Sequence, residues 1–202
     1  MSERKHEAIA RSALTLFASD GYERTTVDAI AAEAGVSKRT VYSHYGDKEN
    51  LFLSVVRDTY ERMLARIGEI VDRTVWEPDL PEALTGCVTE ITRSIARAPE
   101  RATLSRLVIT EAPHFPVLID LLHNRAVTPL IAAPLSRLGR AGRLAVSDAA
   151  DAAEAAEHLA ALTFDQVSSR SLMGTLPLSD AETARLIASG VRVFLRAYLP
   201  GD

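Results

Sequence analysis

Apolar side chains recur every three or four residues through most of the chain, which is the spacing of one face of an α-helix. The clearest case is the segment 48–72, whose apolar stripe consists of Leu51, Phe52, Val55, Val56, Met63, Leu64, Ile67 and Val71. Only 5% of the residues are aromatic, and no run of alternating β-branched residues marks a strand. The sequence therefore predicts an all-α protein of about nine helices.

A tight turn between two short helices is predicted near Gly35. Ala31 and Gly35 are four residues apart, and small residues at this spacing allow two helices to cross closely at a turn of three or four residues. Thr25 begins the first of these helices in a pattern that resembles a capping box. Ser37 is expected to cap the second, over residues 38–45. This arrangement is typical of a helix-turn-helix, which we expect to span residues 25–45.

The helix over residues 38–45 needs only Val41 and Tyr45 for its inner face. The other side chains are expected to point largely outward: Lys38, Arg39, Thr40, Tyr42, Ser43 and His44. Lys38 and Arg39 carry the donors that guanine edges and phosphates accept. Alternative interpretations are a solvated charge pair for these two residues, a packing role for Tyr42 and no role for His44. The surrounding turn favours contact with DNA.

The segment around residues 17–52 resembles the DNA-binding domain of the TetR (tetracycline-repressor-like) family. It contains the motifs G-Y-x-x-T-T, A-G-V-S, V-Y-x-H-Y and D-K-E-x-L-F at the expected spacings. The later stretch RLVITEAPHFPVLIDLL resembles the AefR-like branch of C-terminal domains. The resemblance implies a dimer that binds a palindromic operator, usually as a repressor, and releases it when a small-molecule effector enters the C-terminal domain.

The resemblance also implies a set of residues that contact DNA. Phosphate contacts are expected from Thr25 and Thr26 before the second helix and from Lys48 at the start of the fourth. The third helix is expected to supply base-edge and backbone contacts, from Ser37, Lys38, Arg39, Thr40, Tyr42, Ser43 and His44. The predicted domains are a DNA-binding domain over residues 1–47 and a ligand-binding and dimerisation domain over 48–202. The fourth helix, 48–72, connects them.

Two late segments are apolar around most of their circumference, the helices predicted at about 148–173 and 179–198. A surface helix buries about one stripe, so a second apolar face needs a second partner. A twofold interface between two copies of the chain supplies that partner. These helices therefore predict a homodimer.

The effector site is expected in the C-terminal domain, residues 48–202. Prolines at positions 113, 116, 129 and 134 interrupt helices there and favour a pocket. The candidate contacts are Glu111, His114, Phe115, His123, Phe164 and Asp165. The alternative for the histidines is a satisfied or exposed side chain. No metal or cofactor is predicted, because no histidine or cysteine pair has ligand spacing, and Cys87 is interpreted as a small core residue.

The net charge of −4 argues against a non-specific nucleic-acid coat, although local Lys and Arg still permit specific binding. One alternative function is an enzyme with an accessory DNA-binding domain. The sequence contains no nucleophile elbow, phosphate loop or dinucleotide fingerprint, which argues against this alternative. An architectural DNA-binding protein without a ligand is another. The charged N-terminus and the lack of an apolar stretch of 18 residues predict a soluble, cytoplasmic protein with no membrane segment.

Overall fold

The structure is a computed structural model that describes residues 3–96, 99–119 and 127–201. Ten helices have bounds within these residues and no strand occurs among them, so the all-α prediction is confirmed. The helices are α1 (Glu3–Asp20), α2 (Val27–Glu33), α3 (Lys38–Tyr45), α4 (Lys48–Arg73), α5 (Leu80–Ala96), α6 (Pro99–Glu111), α7 (Val127–Arg140), α8 (Ala149–Leu162), α9 (Phe164–Arg170) and α10 (Asp180–Tyr198). Within these ranges no helix combines the length and apolarity that a membrane span requires.

The chain folds as two compact units. The first comprises Met1–Arg62 with Thr103–Leu122, and the second comprises Met63–Ala102 with His123–Asp202. This division differs from the predicted domains, which separate residues 1–47 from 48–202. The first unit continues into α4 and also includes a segment far along the chain.

The first half of α4 packs into the core of the first unit. Leu51 and Phe52 are fully buried, and the Phe52 ring lies 5.1 Å from the Phe17 ring of α1 in an edge-to-face contact. The helices α2 and α3 add Ile30 and Val41 to the same core. The buried face of α4 explains why the unit extends beyond the predicted boundary.

The core of the second unit is supplied mostly by α5, α7, α8 and α10. The residues predicted to face inward from the fifth helix are all buried: Leu84, Val88, Ile91 and Ile95. The helix α8 packs against both α7 and α10, and α10 also packs against α5. Cys87 is buried in this core, as predicted.

The helix predicted over residues 148–173 is divided at Thr163 into α8 and α9, so the prediction of one continuous helix is wrong. Thr163 Oγ1 donates to the Leu159 carbonyl at 2.6 Å, and the Thr163 N–H donates to the Ala160 carbonyl at 3.2 Å. The hydroxyl therefore occupies the acceptor that the N–H would use in an uninterrupted helix.

The last helix begins as predicted and depends on a glycine in its middle. Ser179 and Glu182 form a capping box, in which Ser179 Oγ accepts from the Glu182 N–H at 3.2 Å and Glu182 Oε2 accepts from the Ser179 N–H at 3.1 Å. Gly190 is buried where α10 meets the end of α8. A Cβ at this position would lie 2.0 Å from the Leu162 carbonyl oxygen.

Gly190→Ala is therefore expected to destabilise the protein by about 3 kcal/mol, because the backbones of α8 and α10 must separate to admit the methyl group. The matched control is Gly86→Ala in α5, where no atom lies within 4 Å of the added Cβ. That change is expected to stabilise by about 0.5–1 kcal/mol through helix propensity. Urea unfolding followed by circular dichroism measures both. Equal effects of the two substitutions would contradict the close approach at Gly190.

Candidate DNA-binding surface

The third helix presents a polar face to solvent. Ser37 caps it by accepting a hydrogen bond from the Thr40 N–H at 3.1 Å, and its bounds, Lys38–Tyr45, are those predicted. Val41 and Tyr45 are its buried residues, as expected. The predicted contact residues are exposed at Ser37, Lys38, Arg39, Tyr42 and Ser43 and half-buried at Thr40 and His44.

The two threonines before α2 have different roles. Thr26 is exposed and caps α2 by accepting from the Ala29 N–H at 3.1 Å. Thr25 is 2% exposed, and its hydroxyl lies 2.8 Å from the Gly21 carbonyl oxygen and 3.1 Å from that of Leu16. The predicted capping role of Thr25 is wrong, because Thr26 is the residue that caps α2. The phosphate contact expected from Thr25 stays a prediction. Its side chain fixes the loop that follows α1.

The two basic residues that open α3 are in different electrostatic settings. Lys38 Nζ forms a salt bridge with Asp28 Oδ2 of α2 at 2.7 Å. This hydrogen bond raises the pKa of the Lys38 ammonium above its ordinary value. Arg39 has no ion-pair partner among the residues that the structure describes. Its guanidinium is therefore the more available of the two cations.

Three hydroxyls of α3 and its cap bond to one another or to the backbone. Ser37 Oγ lies 2.8 Å from Thr40 Oγ1, and Ser43 Oγ donates to the Thr40 carbonyl at 2.8 Å. Tyr42 is 42% exposed, which is high for an aromatic side chain. Its ring lies 6.0 Å from Lys38 Nζ, at the outer limit of a cation–π contact.

His44 faces partly inward, toward a cluster that the sequence did not indicate. Its Nε2 atom is buried and has no hydrogen-bond partner among the described residues. Its ring lies 6.0 Å from the ring of His6, whose Nδ1 is 3.2 Å from the Tyr45 hydroxyl. His6 Nε2 is also 3.8 Å from Asp58 Oδ2. His6 thereby connects α1 with α3 and α4. Burial, aided by Asp58, raises the pKa of Tyr45 to about 12.

Lys48 lies on an aromatic platform at the start of α4. Its Nζ is 4.2 Å from the centre of the Tyr22 ring and donates to the Glu23 carbonyl at 3.2 Å. Phe17 stacks on Tyr22 at 5.9 Å, and Phe52 approaches it to 5.1 Å. The position of the Lys48 ammonium therefore depends on how Tyr22 is held.

Two of the residues predicted to bind the effector, Glu111 and Phe115, contact Tyr22. Glu111, at the end of α6, is 5% exposed, and its Oε1 accepts from the Tyr22 N–H at 3.1 Å. The ring of Phe115 packs edge-on against Tyr22 at 4.7 Å. His114 is exposed, with its Nδ1 3.6 Å from Glu111 Oε2. These three residues lie in the first unit, and their predicted contacts with an effector stay a prediction.

The other three candidate ligand contacts are Phe164, Asp165 and His123. Phe164 lines a small cavity in the second unit. Asp165 is exposed and is not among the residues that line this cavity. His123 lies outside the described residues.

Comparison with known families agrees with this organisation. The sequence profile described as "Bacterial regulatory proteins, tetR family" matches residues 9–55. The profile described as "AefR-like transcriptional repressor, C-terminal domain" matches residues 82–200. The first match contains α2, α3 and the start of α4, and the second contains most of the remaining chain.

Curated relatives share the N-terminal part. HbdR, an HTH-type transcriptional regulator of Aromatoleum sp. (strain CIB), is 44% identical over 69 residues, which cover 33% of this chain and 30% of HbdR. AcnR, an HTH-type transcriptional repressor of Corynebacterium glutamicum, is 38% identical over 63 residues, which cover 31% of this chain and 34% of AcnR. The chain thus spans about a third of the length of these relatives.

Solved structures share the whole fold. A TetR-family transcriptional regulator from Mesorhizobium loti MAFF303099 superposes with a TM-score of 0.87 at 26% identity, over 99% of this chain and 100% of that one. The flavonoid-responsive regulator FrrA superposes with a TM-score of 0.71 at 26% identity, over the full length of both chains. With both family profiles matched in order, this chain belongs to the tetR family of bacterial regulatory proteins and has an AefR-like C-terminal domain.

Proposed function

We propose that this regulator represses transcription by binding a palindromic operator in double-stranded DNA as a homodimer, and that a small-molecule effector releases it. The observation that carries the proposal is the polar face of α3. This helix buries only Val41 and Tyr45 and exposes Lys38, Arg39 and Tyr42. A short helix of this kind, placed after a tight turn, is suited to the major groove of DNA.

The exposed residues divide by chemistry into two groups. The Arg39 guanidinium has the two parallel donors that match the O6 and N7 atoms of guanine, so Arg39 is assigned to base readout, together with Lys38. Thr26, Tyr42 and Lys48 are assigned to phosphates, which fix the position of the protein on the duplex without reading its sequence. Ser37, Thr40 and Ser43 carry hydroxyls that suit either kind of contact.

Asp28→Asn is expected to increase operator affinity about 3–10-fold. The Asp28 carboxylate neutralises Lys38 at 2.7 Å, and its charge opposes the approach of phosphates. The amide removes that charge and leaves Lys38 free to bind DNA. Fluorescence anisotropy at two salt concentrations measures the change, with Glu33→Gln, at the exposed end of α2, as the control. A loss of affinity would mean that Asp28 positions Lys38 rather than competing for it.

The homodimer is proposed to form through the last helices, residues 148–173 and 179–198. Several apolar side chains there remain exposed in the single chain, including Leu172 at 58%, Met173 at 42% and Val193 at 46%. The exposed side of α10 also carries Ala181, Ala184 and Ala188, small residues that permit close helix contact. Light scattering after size exclusion tests the dimer. An Ala184→Glu, Ala188→Glu variant is expected to be monomeric and to bind the operator weakly.

Effector response is supported by the C-terminal match and by one structural neighbour. The AefR-like profile describes a transcriptional repressor, and FrrA is described as flavonoid-responsive. We infer that effector binding changes the relative populations of two conformations of the first unit, and that α6 transmits this change. The residues before and after Thr103–Leu122 belong to the second unit, whereas Glu111 and Phe115 contact Tyr22 in the first.

Selection from random-sequence DNA, followed by a promoter reporter, tests the function as a whole. The recovered sites are expected to contain two inverted half-sites whose centres are about one helical turn, or a multiple of it, apart. Deleting the gene is expected to raise expression from its own upstream region. Enriched sites without two-fold symmetry would overturn the dimeric operator. Reduced expression in the deletion strain would make the protein an activator.

A further inference from the structure

A small cavity lies in the core of the second unit, where α5, α7 and α8 meet. It measures about 30 Å³, and its wall is mostly apolar. The apolar wall residues include Val88, Ile91, Ile131, Leu159 and Phe164. None of the residues that line it carries an ionisable side chain.

One polar atom in the wall is unusual. Thr92 of α5 lines the cavity and is 0% exposed, and its Oγ1 has no hydrogen-bond partner among the described residues. Thr163, also in the wall, differs because its hydroxyl donates to the Leu159 carbonyl at 2.6 Å. A buried hydroxyl without a partner is costly, and such groups are rare in folded proteins. A hydrogen-bond acceptor placed in the cavity would give the Thr92 hydroxyl a partner.

We propose that this cavity is the effector site and that it binds an uncharged, largely apolar molecule with one oxygen that accepts a hydrogen bond from Thr92. This inference rests on the proposed response to an effector and specifies the chemistry of that effector. A charged ligand is excluded because the wall has no counter-ion for it, and burying an unpaired charge costs far more than burying a paired oxygen.

The cavity must widen when such a molecule enters, because its present volume accommodates only a water-sized group. The structure contains a feature that suits this movement. Pro134 lies inside α7 and has no N–H to donate to the carbonyl one turn earlier, at Leu130. The adjacent residue Ile131 is part of the cavity wall. Bending of α7 at this turn would change the position of Ile131 in the cavity wall.

The test uses three probes of similar size: benzyl alcohol, toluene and benzoate. Each is titrated into the full-length protein without DNA at pH 7, and binding is followed by calorimetry and by the fluorescence of Trp76, which packs against the same core. Benzyl alcohol and toluene are expected to bind and to raise the melting temperature. Benzoate is expected to bind at least about 10-fold more weakly than benzyl alcohol, because its charge finds no partner.

Two substitutions isolate the Thr92 hydroxyl. Thr92→Val keeps the shape of the side chain and removes the hydroxyl, so it is expected to shift the affinity ratio about 10-fold in favour of toluene over benzyl alcohol. It is also expected to raise the melting temperature of the free protein by about 2–6 °C, because an unpaired buried group is lost. Thr92→Ser retains the hydroxyl and is expected to keep the wild-type ratio.

The assignment is wrong if benzoate binds as tightly as benzyl alcohol, if none of the probes binds, or if Thr92→Val leaves the ratio unchanged. Because these measurements contain no DNA, they are independent of the proposed function. If the probes bind as expected but do not release the protein from its operator, the cavity is a binding site but not the effector site. If no probe binds but the protein still binds its operator, the assignment of this cavity as a binding site is wrong and the DNA-binding function stands.

Discussion

Arg39→Ala is expected to weaken operator binding by about 10–100-fold, the largest effect of any single substitution on α3. Arg39 is exposed on this helix and is not held by an acidic neighbour in the described residues, whereas Lys38 is bound to Asp28. A guanidinium that reads a guanine contributes about 1–3 kcal/mol of discrimination. Fluorescence anisotropy with the selected operator measures the loss.

Specificity as well as affinity should change in the Arg39→Ala variant. If Arg39 reads a base, one position of the operator becomes tolerant of any base pair, whereas a phosphate contact would lower affinity for all sequences equally. Arg66→Ala, at an exposed arginine of α4 in the second unit, removes the same charge and is the matched control. Wild-type affinity in Arg39→Ala would remove Arg39 from the DNA-binding surface.

Glu111→Ala is expected to lower the free energy of unfolding by about 2 kcal/mol, because it leaves the half-buried Tyr22 N–H without its acceptor. Operator affinity is expected to fall about 3–10-fold as well, because the Tyr22 ring supports Lys48. Glu111→Gln retains an acceptor oxygen and should restore most of both properties. Urea unfolding and anisotropy measure the two effects, with Glu69→Ala on the exposed side of α4 as the control.

These measurements separate two roles for Glu111. A positioning residue for the DNA-binding unit affects stability and operator binding in the absence of any effector. A ligand contact, which the sequence indicated, would change only the effector concentration needed for release. Unchanged stability and affinity in Glu111→Ala, with an altered effector response, would instead support the predicted ligand contact.

The sequence predicts those parts of the molecule that local interactions determine. The bounds of α3 depend on the Ser37 cap and on the i, i+4 pair Val41 and Tyr45, all within nine residues. The capping box of α10 is local in the same sense. In these segments propensity, capping and periodicity agree, so the sequence is sufficient.

The corrections concern features that depend on tertiary contacts or on competition within the backbone. Glu111 accepts a hydrogen bond from the N–H of Tyr22, which is 89 residues away in the sequence, and no spacing rule relates the two positions. Thr25 and Thr26 are adjacent and chemically identical, and only the packing of the loop after α1 buries the first and exposes the second. The break at Thr163 arises because its hydroxyl and its N–H compete for one helical acceptor.

The central claim is that the exposed face of α3 reads a specific DNA sequence. The most direct test is fluorescence anisotropy of the purified protein on its selected operator and on scrambled DNA of equal length, from about 50 to about 200 mM salt. A Tyr42→Ala, Lys48→Ala variant is measured in parallel. We expect tight binding to the operator, at least about 1,000-fold weaker binding to scrambled DNA at the higher salt concentration, and a strong loss of affinity in the variant. Equal, weak binding to both DNAs, unchanged by the two substitutions, would contradict the claim.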